Sequence, residues 1–373
     1  MRVVTAFVLV VVLAPARGQP AAQPPDRPGI DQSGRQRFLV EHLPLALGWY
    51  GTAGVLLEWP EGTGTKVVAY IAGSTLGYAV PLLATMRLPM SDAQAHFSIA
   101  FAYRGLLAGH SLDAILKFGS VPHHGLGLLV GSVCGEAGGY LAARRLDIGR
   151  AALITSYVDF GILNGLFAGT IVNTMVFNQS LSDASPSVGI LPGEVVGGIW
   201  GVCRARTWRC SEGQATVVRA AGILGAAVPG CVYFAARGKF DNSDQTAVSA
   251  LGIAANVAAV CLVERLVRRT QLAASDGYAV AGGTIGGALA GAGIGRAGWG
   301  RRGALRAALG GGAVGAVAGF VGGLCVEEHR AGQPGRTDLR RRLDLDYTAL
   351  LAAVAAYGRE RSFCAPGLVR VRF

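Results

Sequence analysis

In residues 282–295, GGTIGGALAGAGIG, and 310–323, GGGAVGAVAGFVGG, glycine recurs at every fourth position inside apolar runs of helical length. Gly283, Gly287, Gly291 and Gly295 keep one frame, and Gly311, Gly315, Gly319 and Gly323 keep another. The pattern returns at Gly127, Gly131, Gly135 and Gly139, at Gly161, Gly165 and Gly169, and at Gly193, Gly197 and Gly201. Residues four apart share a helix face, so each segment carries a groove bare of side chains against which another backbone can lie. In water such a helix is poor. Each Gly costs about 1 kcal/mol against Ala, hence roughly 7 kcal/mol for the Gly of 282–295. In a bilayer an unpaired peptide group is so costly that helix is nearly forced, and small residues four apart are then the usual means of association. The frame predicts helices packed at backbone distance in lipid.

Composition agrees. Only 15% of the 373 residues are charged, against about 25% in soluble domains. Apolar segments fall at 43–59, 67–86, 125–143, 151–175, 188–203, 216–236, 245–263, 278–295 and 304–326, with short polar or basic punctuation between them. They do not alternate with period two, so they read as helices. A more polar stretch, 94–119, holds Arg104, His110, Asp113 and Lys117 and reads as an amphipathic helix lying on or between other elements. The fold expected is all-α: a bundle of about nine Gly-rich, close-packed transmembrane helices in irregular hairpin repeats, over a membrane domain of 37–326.

The first 18 residues, with Arg2 before an apolar run from Val3 to Ala14 and small residues after it, read as a secretory signal peptide. Residues 19–36, rich in Pro and Gln, read as a flexible leader, and 327–373 as a polar, Arg-rich tail. The net charge of +11 is nearly all arginine, clustered between apolar segments as at Arg144, Arg145 and Arg150 or Arg265, Arg268 and Arg269. That is the positive-inside pattern, and no aromatic-interleaved basic face suggests nucleic acid. With a cleaved signal, nine spans and 94–119 not crossing, loops 144–150, 204–215 and 264–277 lie inside with the tail; loop 296–303, carrying Arg296, Arg301 and Arg302, then breaks the rule. Residues 365–373, APGLVRVRF, alternate and end in Phe like the closing strand of an outer-membrane barrel. The location expected is therefore a cell-envelope membrane, inner or outer. Of the cysteines, Cys203 and Cys210 flank one loop and could pair in an oxidising compartment; their spacing fits no zinc site.

The segments GSVCGEAGGYLAAR and SYVDFGILNGLFAG, set within this patterning, resemble uncharacterised glycine-zipper-rich bacterial envelope proteins. The resemblance spans about residues 120–325 at class level. It implies an envelope location and carries no activity, site or cofactor.

Glu136, Asp159 and Glu194 are carboxylates inside apolar segments. Such groups are costly at bilayer depth and face a bundle interior, a partner or a polar path. Arg104 and Arg219 are their natural cationic partners. Two readings stay open for these residues: an ion or proton path, or buried pairs that fix helix register. His110 and Asp113 share a helix face, and His123 and His124 follow a Pro, but no third ligand stands at helical spacing, so no metal and no cofactor are expected. Ser132 and Ser156 have no base nearby in sequence, GxSxG is absent, and no GKS or GKT follows the glycines. Asn164 and Asn256 read as interhelical hydrogen-bond formers. The function expected is a non-enzymatic membrane scaffold or assembly, with the lipid bilayer, a second copy or an envelope protein as partner. The alternatives are a transporter or channel using the intramembrane carboxylates, a soluble periplasmic helical repeat protein, and, most weakly, a membrane enzyme using the histidines.

Overall fold

The computed structural model describes residues 31–58, 62–116, 121–177, 187–238, 241–270, 272–297, 303–330, 343–345 and 369–371. The segments read as signal peptide (1–18), most of the leader and most of the tail lie outside these residues. The described chain is helical, with ten helices. Helix α1 runs over 35–58, where Arg35–Leu45 continues through a π turn, Ala46–Tyr50, into Gly51–Glu58. Then follow α2 (Thr63–Thr85), α3 (Asp92–Leu116), α4 (Val121–Ala142), α5 (Ile148–Phe177) and α6 (Ser187–Thr207). The last four are α7 (Glu212–Arg237), α8 (Asn242–Val267), α9 (Ala274–Ala297) and α10 (Ala304–Arg330). Beyond them, two three-residue strands, β1 (Leu343–Leu345) and β2 (Val369–Val371), pair antiparallel.

Reciprocal Ser-x-x-Gln caps start two of these helices, and Asp241 with Asp244 forms a third capping box before α8. The Ser91 N–H donates to Gln94 Oε1 at 3.0 Å and the Gln94 N–H to Ser91 Oγ at 3.2 Å. Ser211 and Gln214 repeat the arrangement before α7, at 2.8 and 3.2 Å. Each Ser-x-x-Gln box satisfies two backbone donors that a helix start leaves open.

Six helices, α2, α4, α5, α7, α8 and α10, are long and apolar enough to cross a membrane. The segments at 43–59, 188–203 and 278–295 do not reach that mark. Pro192, Glu194 and two arginines lower α6, and Gly and Ala, which favour insertion weakly, lower α9.

The chain divides into two compact units, one ending at Ala215 and the other starting at Thr216. In the first unit the neighbours α1–α2, α3–α4 and α5–α6 pack as antiparallel hairpins. Two of these close glycine against glycine. A Cβ on Gly105 or Gly109 would collide with the carbonyl oxygen of Gly131 or Gly127 on α4, and one on Gly165 or Gly161 with that of Gly189 or Gly193 on α6. In the second unit α9 and α10 do the same: Gly283, Gly287 and Gly291 meet Gly319, Gly315 and Gly311, and Gly295 meets Ala307. Gly135 and Gly139 face Phe101 and Phe97 of α3, Gly197 and Gly201 face Tyr157 and Ile154 of α5, Gly169 lies against Gly189, and Gly323 lies against Val280.

These contacts place the polar helix α3. It lies between other helices, with Leu107, Leu112 and Ile115 in its C-terminal half exposed. Gly105 and Gly109 let α4 close on one side, and α1, α5 and α6 pack against the rest. Ala95, Ile99, Ala102 and Leu106 are buried there. Arg37 beside His96, and His96 beside Thr155, run α1, α3 and α5 in the same direction. One end of the unit therefore gathers the starts of these helices, with Arg35, Arg37, Arg87, Arg144, Arg145, Arg150, Arg204, Arg206 and Arg209. Outward faces are apolar: Val67, Val68, Ile71, Leu76, Val80 and Leu83 of α2 are all exposed, as are Val195, Val196, Ile199 and Trp200 of α6.

Neighbouring glycines of α9 supply an internal control. A Cβ on Gly287 would strike the Gly315 carbonyl and lie 3.1 Å from Gly319 Cα, whereas one on Gly286 meets nothing within 4 Å. Gly287→Ala should destabilise the chain by about 1–3 kcal/mol through overpacking, while Gly286→Ala should be neutral or stabilising by up to about 1 kcal/mol. Unfolding in detergent measures both; equal effects would mean the ridges do not touch.

Candidate functional site

The first unit buries two polar clusters, one on either side of α3. The first begins at the arginine-rich end. Arg37 Nη2 ion-pairs with Glu212 Oε1 at 2.7 Å, and its Nε pairs with Glu41 Oε1 at 2.8 Å. Nη2 also donates to His96 Nδ1 at 3.1 Å. A guanidinium has only donors, so Nδ1 is the acceptor and the ring proton sits on Nε2. That proton is donated to Thr155 Oγ1 at 3.1 Å, whose own hydroxyl donates to Ala152 O at 2.9 Å. His96 is thereby held in one neutral tautomer.

Deeper in, Arg104 is 3% exposed. Its Nη2 donates to Thr155 O and to Asp159 Oδ1, both at 2.6 Å, and the guanidinium lies 5.4 Å from the centre of the Phe101 ring. Glu194 on α6 feels the charges of both Arg104 and Asp159, and its buried Oε2 has no hydrogen-bond partner. Arg104, Asp159 and Glu194 thus form a triad of two carboxyl groups and one guanidinium. Asp159 stands eleven residues into α5, about 17 Å along the helix axis.

The second cluster joins α1, α2 and α4. The Tyr50 hydroxyl donates to Glu136 Oε2 at 3.2 Å and meets Ser132 Oγ at 3.1 Å. Ser98 Oγ donates to the Glu136 carbonyl at 3.2 Å. His42, 0% exposed, has Nε2 2.8 Å from Gly77 O and Nδ1 3.8 Å from Glu136 Oε2. The π turn makes this grouping possible. His42 and Tyr50 stand eight residues apart, which at about 100° per residue would set them roughly 80° apart around the helix. One extra residue absorbed by a π turn removes about that step, and the two ring centres come within 5.7 Å.

Of the residues singled out in the sequence, the structure gathers Arg104, Asp159 and Glu194 and sets Glu136 in the other cluster. Arg219 belongs to the second unit, whereas the three carboxylates belong to the first. His110 is exposed while Asp113, three residues on, is 4% exposed; the side chains of His123 and His124 lie outside those described. Among the described residues no group of three or more His, Cys, Asp or Glu could hold a metal ion. Cys203 and Cys210 are not bridged: Cys203 is an exposed thiol, and buried Cys210 donates to Gly149 O at 3.3 Å. Ser132 serves Tyr50, and Ser156 Oγ donates to Ala152 O at 2.7 Å. Asn256 Nδ2 donates to Gly222 O across α8 and α7 at 2.8 Å. Sequence reasoning passed over Arg37, His42, Tyr50, His96 and Glu212. Comparison with protein-family models, curated proteins and solved structures returns no match.

The triad is open to test by stability alone. Asp159→Ala removes the short ion pair with Arg104, leaves the guanidinium beside Glu194, and should cost about 3–5 kcal/mol. The double substitution Arg104→Met with Asp159→Leu removes both charges and should recover most of that loss. Thermal unfolding of the three proteins in one detergent measures it; a double variant as unstable as the single would mean the pair is not what the packing depends on.

Proposed function

We propose that the chain is an integral membrane protein whose first unit carries a proton or small inorganic cation, with Asp159 and Glu194 as the carboxylates that receive it. The observation that carries this reading is the charge balance of the buried triad, two carboxyl groups on one guanidinium. Surplus negative charge at that depth is neutralised by a proton or a cation, or it is not tolerated. The line from Glu212 through Arg37, His96 and Thr155 to Arg104 supports an approach from the arginine-rich end. In the arrangement described, that approach is shut, because Arg37 occupies the lone pair with which His96 would accept a proton.

Reconstitution into liposomes tests the reading. The wild-type chain should dissipate an imposed proton or sodium gradient, and Glu194→Gln, which leaves the Arg104–Asp159 pair in place, should lower the flux at least tenfold while the protein keeps its unfolding temperature. Undiminished flux in Glu194→Gln, or none in the wild type, would sink it. A scaffold would then be the better reading; the backbone contacts of the glycine ridges favour that one, and in it the carboxylates serve stability alone.

The arginines support an orientation as well. With α3 counted as a crossing, residues 31, 86–91, 143–147 and 208–211 share one end, which the positive-inside rule assigns to the cytoplasm. Residue 31 then lies inside, whereas cleavage of a signal peptide at 1–18 would deliver it outside. A reporter active only in the cytoplasm should be active when inserted at 143–147 and silent at 59–62. The reverse result would restore the exported N-terminus.

A further inference from the structure

We propose that His42 and Glu136 together form a proton-binding site that holds one proton between them. The inference does not depend on the transport reading, since it rests on the hydrogen-bond directions of the second cluster. His42 Nε2 lies 2.8 Å from the carbonyl oxygen of Gly77. A carbonyl only accepts, so Nε2 carries a hydrogen whatever the charge of the ring. The state of the site is therefore decided at Nδ1, which is buried, has no hydrogen-bond partner, and faces Glu136 Oε2 at 3.8 Å.

With no proton between them, a nitrogen lone pair confronts a carboxylate oxygen inside a closed packing of α1, α2 and α4. That contact is repulsive, and the Tyr50 hydroxyl on Oε2 offsets it only in part. With two protons, an imidazolium faces a neutral carboxyl and the buried positive charge has no counter-ion. With one, the facing atoms attract, as carboxylate and imidazolium or as carboxyl and neutral ring, and the pair is neutral. The Ser132 and Tyr50 hydroxyls, 3.1 Å apart and with Tyr50 3.2 Å from Oε2, can align as donors toward the carboxylate and so support its ionised form. The titratable groups around the pair are the hydroxyls of Tyr50, Tyr78 and Tyr103, with Glu41 beside Tyr103. The imidazole lies between aromatic rings, 5.2 Å from Phe38 and 6.5 Å from Tyr78. Glu136 is the exchangeable side, since its side chain keeps 16% exposure where His42 keeps none.

Deprotonation therefore acts on the contact between α1 and α4. Above the pH at which the proton leaves, the two atoms repel and the hairpin of α1 and α2 loosens from α4 next to its π turn. Below that pH the contact is closed.

Solid-state NMR of the full chain in lipid, with labelled histidine and glutamate, tests the proposal without requiring any variant to fold. In the wild type the His42 Nδ1 signal and the Glu136 carboxyl signal should change together at a single pH midpoint, with one proton in total below it. Glu136→Gln should abolish that joint transition and leave Nδ1 bare at neutral pH. An ionised Glu136 beside an unprotonated Nδ1 throughout the range in which the chain is folded would overturn the proposal. Two midpoints that do not move when the partner is replaced would overturn it equally.

Discussion

Hairpins among the described residues close backbone to backbone, and the rest of the structure follows from that distance. Where Gly105 meets Gly131 and Gly287 meets Gly315, no atom stands between one main chain and the carbonyl oxygen of the next. Such an approach is gained at the cost of side-chain burial, so its attraction is dispersion and weak Cα–H···O contact summed along the helices. In water the exposed glycines would undo it through helix propensity. In lipid, where helix is already enforced, the same glycines cost little. The apolar exteriors of α2 and α6 are the other half of that argument, because they present large aliphatic side chains outward while Arg104 and His42 lie inside.

Close approach also explains how a polar helix comes to be enclosed. Helix α3 carries Gln94, Ser98, Arg104, Ser111 and Asp113 as buried side chains. Its sequence reads as an amphipathic helix lying on or between other elements. Gly105 and Gly109 decide for the second by letting α4 pack directly onto its backbone, which leaves the remaining faces for α1, α5 and α6. The polar groups are then shared among neighbours: Arg104 reaches Thr155 and Asp159, His96 bridges Arg37 and Thr155, and Ser98 caps a carbonyl of α4.

The legible part of the sequence was its periodicity. Gly127, Gly131, Gly161, Gly165, Gly283, Gly287, Gly311 and Gly315 announce bare faces because a helix face repeats every fourth residue, a purely local rule. Arg104 and Asp159 stand out for a similar reason, as charges within apolar surroundings. What stayed hidden depends on neighbours distant in sequence. His42 and Tyr50 reach one face through a π turn that no residue pattern marks, and Pro44 within that helix is at most a hint of irregularity. Arg219, in the second unit, looks by sequence as good a partner for a carboxylate as Arg104 does, and the letters alone do not rank the two. The Ser-x-x-Gln boxes before α3 and α7 were present in the letters, and their spacing alone would have fixed where both helices start.

Tight helix spacing and buried charge constrain each other. A bundle held at backbone distance leaves little room for water beside the triad, so each ionised oxygen depends on a protein donor or on a proton. Arg104 satisfies Asp159 and a main-chain carbonyl from a single nitrogen, while the buried Oε2 of Glu194 has no hydrogen-bond partner. Loosening the helices would admit water and relieve the surplus charge, but the ridges resist it, because opening either hairpin loses the glycine contacts along its own seam. The side chains best placed to change state are therefore those at the margins of the ridges. Glu136 adjoins Gly135 and Glu194 adjoins Gly193, so each carboxyl group sits beside the closest helix contact without taking part in it. A proton gained or lost there changes the charge at the edge of a rigid seam, and the motion it can drive is a shift of whole helices on α3, not a local rearrangement within the seam.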